Sequence, residues 1–315
     1  MRAAGGNGEK AAGPAPGPDT RAGFVALIGA PNAGKSTLLN ALVGEKVAIV
    51  TPKVQTTRMR LRGIAMHGNA QLIFVDTPGI FTPRKRLDRA MVEAAWAGAR
   101  EADEIVLVID AARGLDDEEV TLILDGLKQL DRPVIAALNK IDLVKKPVLL
   151  EQAKRLDETG LFKRIFMISA VTGDGLIDLK DYLAESLPPG PFLYPPDQIT
   201  DVTNRVMAAE ITREKIYLRL HQELPYEIAV ETESFEEQPN GHIVIHQVIH
   251  VARESQKKIV IGRGGRMLKA IGQAARQEMC EIFGRPVHLF LFVKVSPHWQ
   301  DDRSHYQMLG LEYVK

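Results

Sequence analysis

A single cysteine, Cys280, stands in a chain of 315 residues, so no internal disulfide can staple the fold. That absence excludes the disulfide-framework class and agrees with a reducing compartment. No apolar run approaches the roughly 20 residues needed to span a bilayer. The eight histidines show no spacing that would hold zinc. Net charge is missing too: 40 lysines and arginines balance 40 aspartates and glutamates, so the overall charge favours no class of partner. Residues 1–21, rich in Gly, Pro and Ala, carry neither a hydrophobic signal core nor an arginine-rich amphipathic pattern, and read as a disordered tail. What remains is a soluble chain long enough for two domains, each with its own core.

Short glycine-rich and acidic strings punctuate the first half. Residues 29–36 read GAPNAGKS, which fits G-x-x-x-x-G-K-[ST]. An apolar run of strand length (23–28) precedes it and helical spacing (37–42) follows, the context that a phosphate-cradling loop requires. The loop from Gly29 through Ala30, Pro31, Asn32 and Ala33 to Gly34 can turn backbone N–H groups around a β-phosphate. The helix after it adds partial positive charge. Lys35 would reach the β and γ oxygens, and the Ser36 hydroxyl would coordinate Mg²⁺.

A second apolar strand (71–75) ends in Asp76-Thr77-Pro78-Gly79, followed by Ile80. A carboxylate at a strand end can hold the water shell of the metal, which makes Asp76 a magnesium partner. Gly79 can offer its N–H to a γ-phosphate and release it after hydrolysis, the behaviour of a switch hinge. A third strand (133–138) ends in Asn139-Lys140-Ile141-Asp142. Asp142 can accept two hydrogen bonds from the ring N–H and exocyclic amine of guanine, donors that adenine does not present. Asn139 would meet the other base edge, and the stem of Lys140 would lie along the ring. Ser169 and Ala170, after a fourth apolar run, would give a backbone N–H to the guanine oxygen. The four strings in series specify GTP or GDP with Mg²⁺.

Between the first helix and the second strand lies Thr51-Pro-Lys-Val-Gln-Thr-Thr-Arg58. A hydroxyl that joins Ser36 on the metal when the γ-phosphate is present belongs here, and Thr56 and Thr57 both qualify. Catalysis would rest on Lys35, on Thr56 or Thr57, and on Gly79. Ile80 stands where some GTPases carry a water-orienting glutamine, so slow intrinsic turnover is expected. Asn32 offers a carbonyl oxygen near the β/γ bridge, or else only hydrogen-bonds its own loop.

The second half carries a different signature. Ile261-Gly262-Arg263-Gly264-Gly265-Arg266 forms a glycine loop between two helical stretches. Lys257, Lys258 and Lys269 join Arg263 and Arg266 in a one-sided basic patch, while acidic residues such as Glu233, Glu236 and Glu237 offset the charge of the domain as a whole. Backbone exposed at glycines, with local positive charge, suits a specific RNA strand more than bulk nucleic acid.

With these strings in place, the chain resembles the Era family of bacterial GTPases. The loop GAPNAGKS, the Gln-Thr-Thr-Arg string, DTPG-Ile and NKID carry the likeness in the first half. The run Glu210–Lys215, the Glu223–Tyr226 turn, the glycine loop and residues 286–295 carry it in the second. The resemblance implies an α/β P-loop GTPase domain with a mostly parallel sheet over 22–187. An α+β KH domain of type II is implied over 197–297. Between them lies a proline-rich linker (188–196), expected to hold the domains apart, and residues 298–315 form a tail with no assigned structure. It implies a GTP-hydrolysing switch, acting as a monomer, that binds small-subunit ribosomal RNA rather than DNA and assists assembly of the small ribosomal subunit. Potassium at Asn32, a cytoplasmic location and peripheral contact with the inner membrane are further implications, as is a GTP-controlled membrane- or protein-binding regulator.

Overall fold

The structure, a computed structural model, describes residues 19–53, 56–130, 132–220 and 227–297, and beyond these only 299, 303, 306 and 311–313. Within the first domain the order is β1 (Arg21–Ile28), α1 (Lys35–Val43), β2 (Leu61–His67), β3 (Ala70–Asp76), α2 (Arg86–Glu101), β4 (Glu104–Asp110), α3 (Glu118–Lys128), β5 (Val134–Asn139), α4 (Lys146–Asp157), β6 (Phe162–Met167) and α5 (Leu176–Ser186). The strands form one sheet in the order β2-β3-β1-β4-β5-β6. Every pairing is parallel except β2 with β3, the hairpin that turns at Gly68.

Helices cover both faces, which explains why β3, β4 and β5 are buried along their whole length and read as unbroken apolar runs. Val25 and Leu27 point to the side of α1 and α5, while Ala26 and Ile28 point to that of α2, α3 and α4. The period-two alternation of a strand thus feeds two cores at once. Parallel pairing brings the loops after β1, β3 and β5 to one end of the sheet, and the ligand strings all lie there.

The second domain runs α6 (Asn204–Arg219), β7 (Ile228–Glu237), β8 (Ile243–Val251), α7 (Glu254–Ile261), α8 (Arg266–Phe283) and β9 (Val287–Val295). β7 and β8 are antiparallel, and β8 and β9 parallel, in a three-stranded sheet with the helices on one face. The order α-β-β-α-α-β is that of a type II KH fold. Ile271, Ala275 and Met279, spaced four apart on α8, are fully buried against it. Cys280 is half-buried beside them and its Sγ accepts the Val287 N–H at 3.3 Å, so it is a packing thiol.

One expectation needs correction. The proline-rich segment does not hold the domains apart. It is pinned to the edge of the first sheet: Gln71 Oε1 accepts the N–H groups of Leu193 (2.8 Å) and Tyr194 (2.9 Å), and Gln71 Nε2 donates to the Tyr194 carbonyl at 2.8 Å. The Ile64 N–H donates to the Ile199 carbonyl at 2.8 Å. The C-terminal tail, to which the sequence assigns no structure, packs at its described residues. Trp299, Tyr306 and Leu311 are buried with Leu87, Met91 and Ala94 of α2 and with Ala229 of β7, in an apolar cluster that belongs to both domains. The N-terminal boundary shifts slightly, because Arg21 already forms the first position of β1. The Glu223–Tyr226 turn and Gln55 lie outside the described residues, as do residues 1–18 of the tail.

Candidate nucleotide site and RNA-facing loop

A cleft of about 430 Å³ opens above the loop between β1 and α1, lined among others by Pro31, Lys35, Ser36, Thr57, Gly79 and Lys140. Gly34 caps α1 with φ 96°, a left-handed conformation that glycine adopts without penalty. A Cβ there would stand 2.3 Å from the Asn139 amide nitrogen, so the loop and the Asn139 side chain fit only with glycine between them. Lys35 is buried and donates to the carbonyls of Gly29 (3.0 Å) and Ala30 (2.9 Å), inside the loop it would leave for a phosphate. Burial pushes its ammonium down to about 8, opposed by the nearby charges of Asp76 and Glu119.

Ser36 Oγ donates to Asp76 Oδ2 at 2.7 Å and lies 2.9 Å from Thr57 Oγ1, which itself reaches Asp76 Oδ2 at 3.2 Å. Three oxygen-bearing side chains therefore converge, and Asp76 Oδ1 is buried without a hydrogen-bond partner. Such an orphaned carboxylate oxygen beside two hydroxyls suits a hard divalent cation. Burial raises the Asp76 pKa, against the pull of Lys35 and the hydroxyl donors. Thr56 faces elsewhere: its hydroxyl lies 2.6 Å from Thr51 Oγ1 and donates to the Lys53 carbonyl at 2.7 Å. Of the two threonines, Thr57 is the one brought to Ser36 and Asp76.

Thr77 is buried and ties back to the Leu27 carbonyl at 2.9 Å, so it anchors the strand end. A Cβ on Gly79 would stand 2.9 Å from the Pro31 nitrogen, which places Gly79, next to Pro78, against the phosphate loop. Ile80 is fully buried in the core and its N–H donates to the Gly29 carbonyl at 3.1 Å, so the position of the missing glutamine does not face the cleft.

At the base end, buried Asn139 donates to the Ala33 carbonyl at 2.9 Å and accepts the Ala170 N–H at 3.0 Å. One side chain thus ties the phosphate loop to the Ser169–Ala170 turn, with one amide hydrogen left for a base. Asp142 is exposed, its carboxylate aligned by the Ser169 hydroxyl at 2.6 Å. Ile141, whose N–H donates to the Ile168 carbonyl at 3.3 Å, fixes this turn to the strand before Ser169. Lys140 adopts φ 66° and donates to the Asn32 carbonyl (2.9 Å) and to Asp110 Oδ2 (2.6 Å). Asp110 was missed at the sequence level. The signal was a carboxylate closing β4 just as Asp76 closes β3. Asn32 sits at φ 62° and its side-chain amide donates to the Pro52 carbonyl at 3.1 Å, linking the phosphate loop to the segment that bears Thr57.

In the second domain, Gly262, Gly264 and Gly265 all lie at positive φ, and between them the chain makes a tight turn from α7 into α8. Arg263, Arg266, Lys258 and Lys269 are exposed around this turn, with Lys257 and Ile261 half-buried at its base. Beside it runs a groove of about 500 Å³ along Leu268, Lys269, Gly272, Arg276, Leu289 and Leu291. An apolar floor with a cationic rim and a glycine backbone at its lip can take unstacked bases and their phosphates.

A family model described as 50S ribosome-binding GTPase matches residues 24–140, and a KH domain model matches residues 223–300. GTPase Era of Sinorhizobium medicae is 58% identical over 296 residues, covering 94% of this chain and 95% of the relative. The chain belongs to the Era family. GTPase Era of Rhizobium meliloti matches equally, at 58% identity over 94% of the chain. Among solved structures, an Aquifex aeolicus Era variant bound to GDP and AlF4⁻ superposes with a TM-score of 0.87 at 41% identity, over 92% of this chain and 99% of that one. An Era complex with MgGDPNP and nucleotides 1506–1542 of 16S ribosomal RNA gives the same TM-score, identity and coverage. The Era GTPase fold therefore accounts for the cleft, and its KH domain for the glycine loop, along nearly the whole chain.

Proposed function

We propose that this Era-family chain is a GTP-hydrolysing switch that binds small-subunit ribosomal RNA through its KH domain and assists maturation of the small ribosomal subunit. The observation that carries the nucleotide half is what the phosphate loop gathers around it: its own buried lysine, the hydroxyl–carboxylate–hydroxyl set of Ser36, Asp76 and Thr57, and, in the turn that Asn139 ties to Ala33, an exposed carboxylate held by Ser169. Lys35 and the N–H groups of the loop would neutralise phosphate charge. Ser36 and Thr57 would hold Mg²⁺ with Asp76 behind them, and the metal would supply charge neutralisation at the β and γ oxygens. Asp142, with the Ala170 turn, would select guanine. The exposed glycine loop with its basic rim carries the RNA half, supported by the relative that was solved with 16S ribosomal RNA.

The partner would be the small subunit in the cytoplasm. Peripheral contact with the inner membrane, which needs no spanning helix, is a finer proposal; no described helix is long and apolar enough to cross a membrane. Potassium would bind beside Asn32, as the family resemblance implies. Nucleotide competition with GTP, ATP and XTP tests the first half, and ATP binding as tight as GTP binding would remove it. Crosslinking followed by sequencing of the captured RNA tests the second, with fragments of small-subunit RNA as the expected result.

A further inference from the structure

The chain between α1 and β2 carries Thr57 yet forms no helix or strand at its described residues, so something else must place it. Much of that support comes from the second domain. The Val50 N–H donates to Glu214 Oε1 at 3.0 Å, and Lys53 donates to the Leu220 carbonyl. Arg58 is buried and donates to the Ile228 carbonyl at 2.7 Å and to the Tyr217 hydroxyl at 2.8 Å. Nearest the cleft, Arg213 of α6 donates to the Thr56 carbonyl while its guanidinium is held by Glu210, 2.8 Å away at Nε. Arg213 is 3% exposed, and its charge is strengthened by Glu210 in spite of burial.

The peptide joining Thr56 and Thr57 is thus gripped on one side by Arg213, while the Thr57 hydroxyl meets Ser36 and Asp76 on the other. A carbonyl fixed from behind limits the rotation of the next residue, since only two soft dihedrals separate them. We infer that Arg213 is a positioning residue for the nucleotide site, setting Thr57 for the triphosphate state from the other domain. The inference rests on the proposed GTPase reading and extends it. A diphosphate needs the phosphate loop, whereas only the triphosphate calls on Thr57, so the two nucleotides separate positioning from general damage.

The full-length chain is compared with Arg213→Lys, with Glu210→Leu/Arg213→Met, with Thr57→Ala, and with the combined triple variant. The apolar double exchange removes both buried charges together, so neither is left unpaired. Fluorescent GDP affinity, GDPNP affinity in saturating Mg²⁺ and single-turnover hydrolysis are measured. In the double variant, GDP affinity should hold within about twofold while GDPNP affinity and hydrolysis fall about tenfold, and adding Thr57→Ala should cost little more, because coupled sites are non-additive. Arg213→Lys, which keeps one donor for the carbonyl, should recover part of the loss. Equal losses for GDP and GDPNP, or effects of Arg213 and Thr57 that simply multiply, would overturn the inference. Wild-type protein that fails to bind GDP would instead overturn the GTPase reading beneath it.

Discussion

The phosphate loop and the glycine loop of the KH domain are both glycine-rich turns leading into a helix, yet they use glycine for opposite reasons. At Gly34 an added Cβ would strike the Asn139 side chain at 2.3 Å, so glycine serves internal packing. At Gly265 an added Cβ would meet nothing within 4 Å, so apart from its φ of 75° the position stays bare on the outer side. The first turn is shut around its own lysine and awaits a small, highly charged ligand. The second is open at an edge, as a long strand requires. Burial sorts the two more clearly than composition does.

The comparison also runs within the nucleotide site, where Lys35 is buried and Asp142 is exposed. If the exposed Asp142 alone reads the base, Asp142→Asn should collapse the preference for GTP over XTP by about 10⁴-fold, since a site built to bond a polar edge rejects the analogue lacking it. Competition binding measures it, and an unchanged preference would hand base selection to the Ser169–Ala170 turn. For the open loop, Gly265→Asp should lower RNA affinity by about 10- to 100-fold through like-charge contact with phosphate. GDP affinity should remain intact. Gly262 makes a poorer probe, because a Cβ there would stand 2.7 Å from Met267 Cβ and disturb α8. RNA affinity at matched salt that does not change would remove the glycine loop from the interface.

The closed end should respond to pH. Burial pushes the Lys35 ammonium down to about 8, and it must be charged to hold phosphate. Bound phosphate raises that value, so binding takes up a proton. GDP affinity should therefore be level below pH 8 and fall above it, by up to about tenfold per pH unit. Affinity independent of pH between 7 and 10 would show that Lys35 is not charged by its ligand. The smallest effect concerns Asn32. Hydrolysis in potassium should exceed that in sodium, at equal ionic strength, by up to about tenfold. Asn32→Ala should abolish the difference. Equal rates in both salts would leave Asn32 with only its bond to Pro52.

Much of this was legible in the sequence because it is local. GAPNAGKS, DTPG, NKID and the glycine loop each fall at a strand or helix end that their flanking periodicity announces, and the strands before the first three lie within a few residues of the apolar runs 23–28, 71–75 and 133–138. What was illegible is what joins distant residues. Nothing in the run Glu210–Lys215 shows that Glu210, Arg213 and Glu214 are buried against residues 46–58, because charges at helical spacing ordinarily mark a solvated face. The choice between Thr56 and Thr57 depends on those same contacts. In the tail, Trp299 and Tyr306 are the local signal: large aromatic side chains tend to be buried, and both are buried here.

The apolar cluster in which Trp299, Tyr306 and Leu311 meet Leu87, Met91 and Ala229 bears on how the chain melts. Neither domain can lose its structure without exposing side chains that the other covers, and the Trp299 Nε1–H bond to the Glu227 carbonyl at 3.0 Å fastens the same corner. In a calorimeter the protein should give one endotherm whose van't Hoff and measured enthalpies agree, despite its two sheets. A chain ending at Val295 should give two, with the GTPase part melting first because α2 is uncovered.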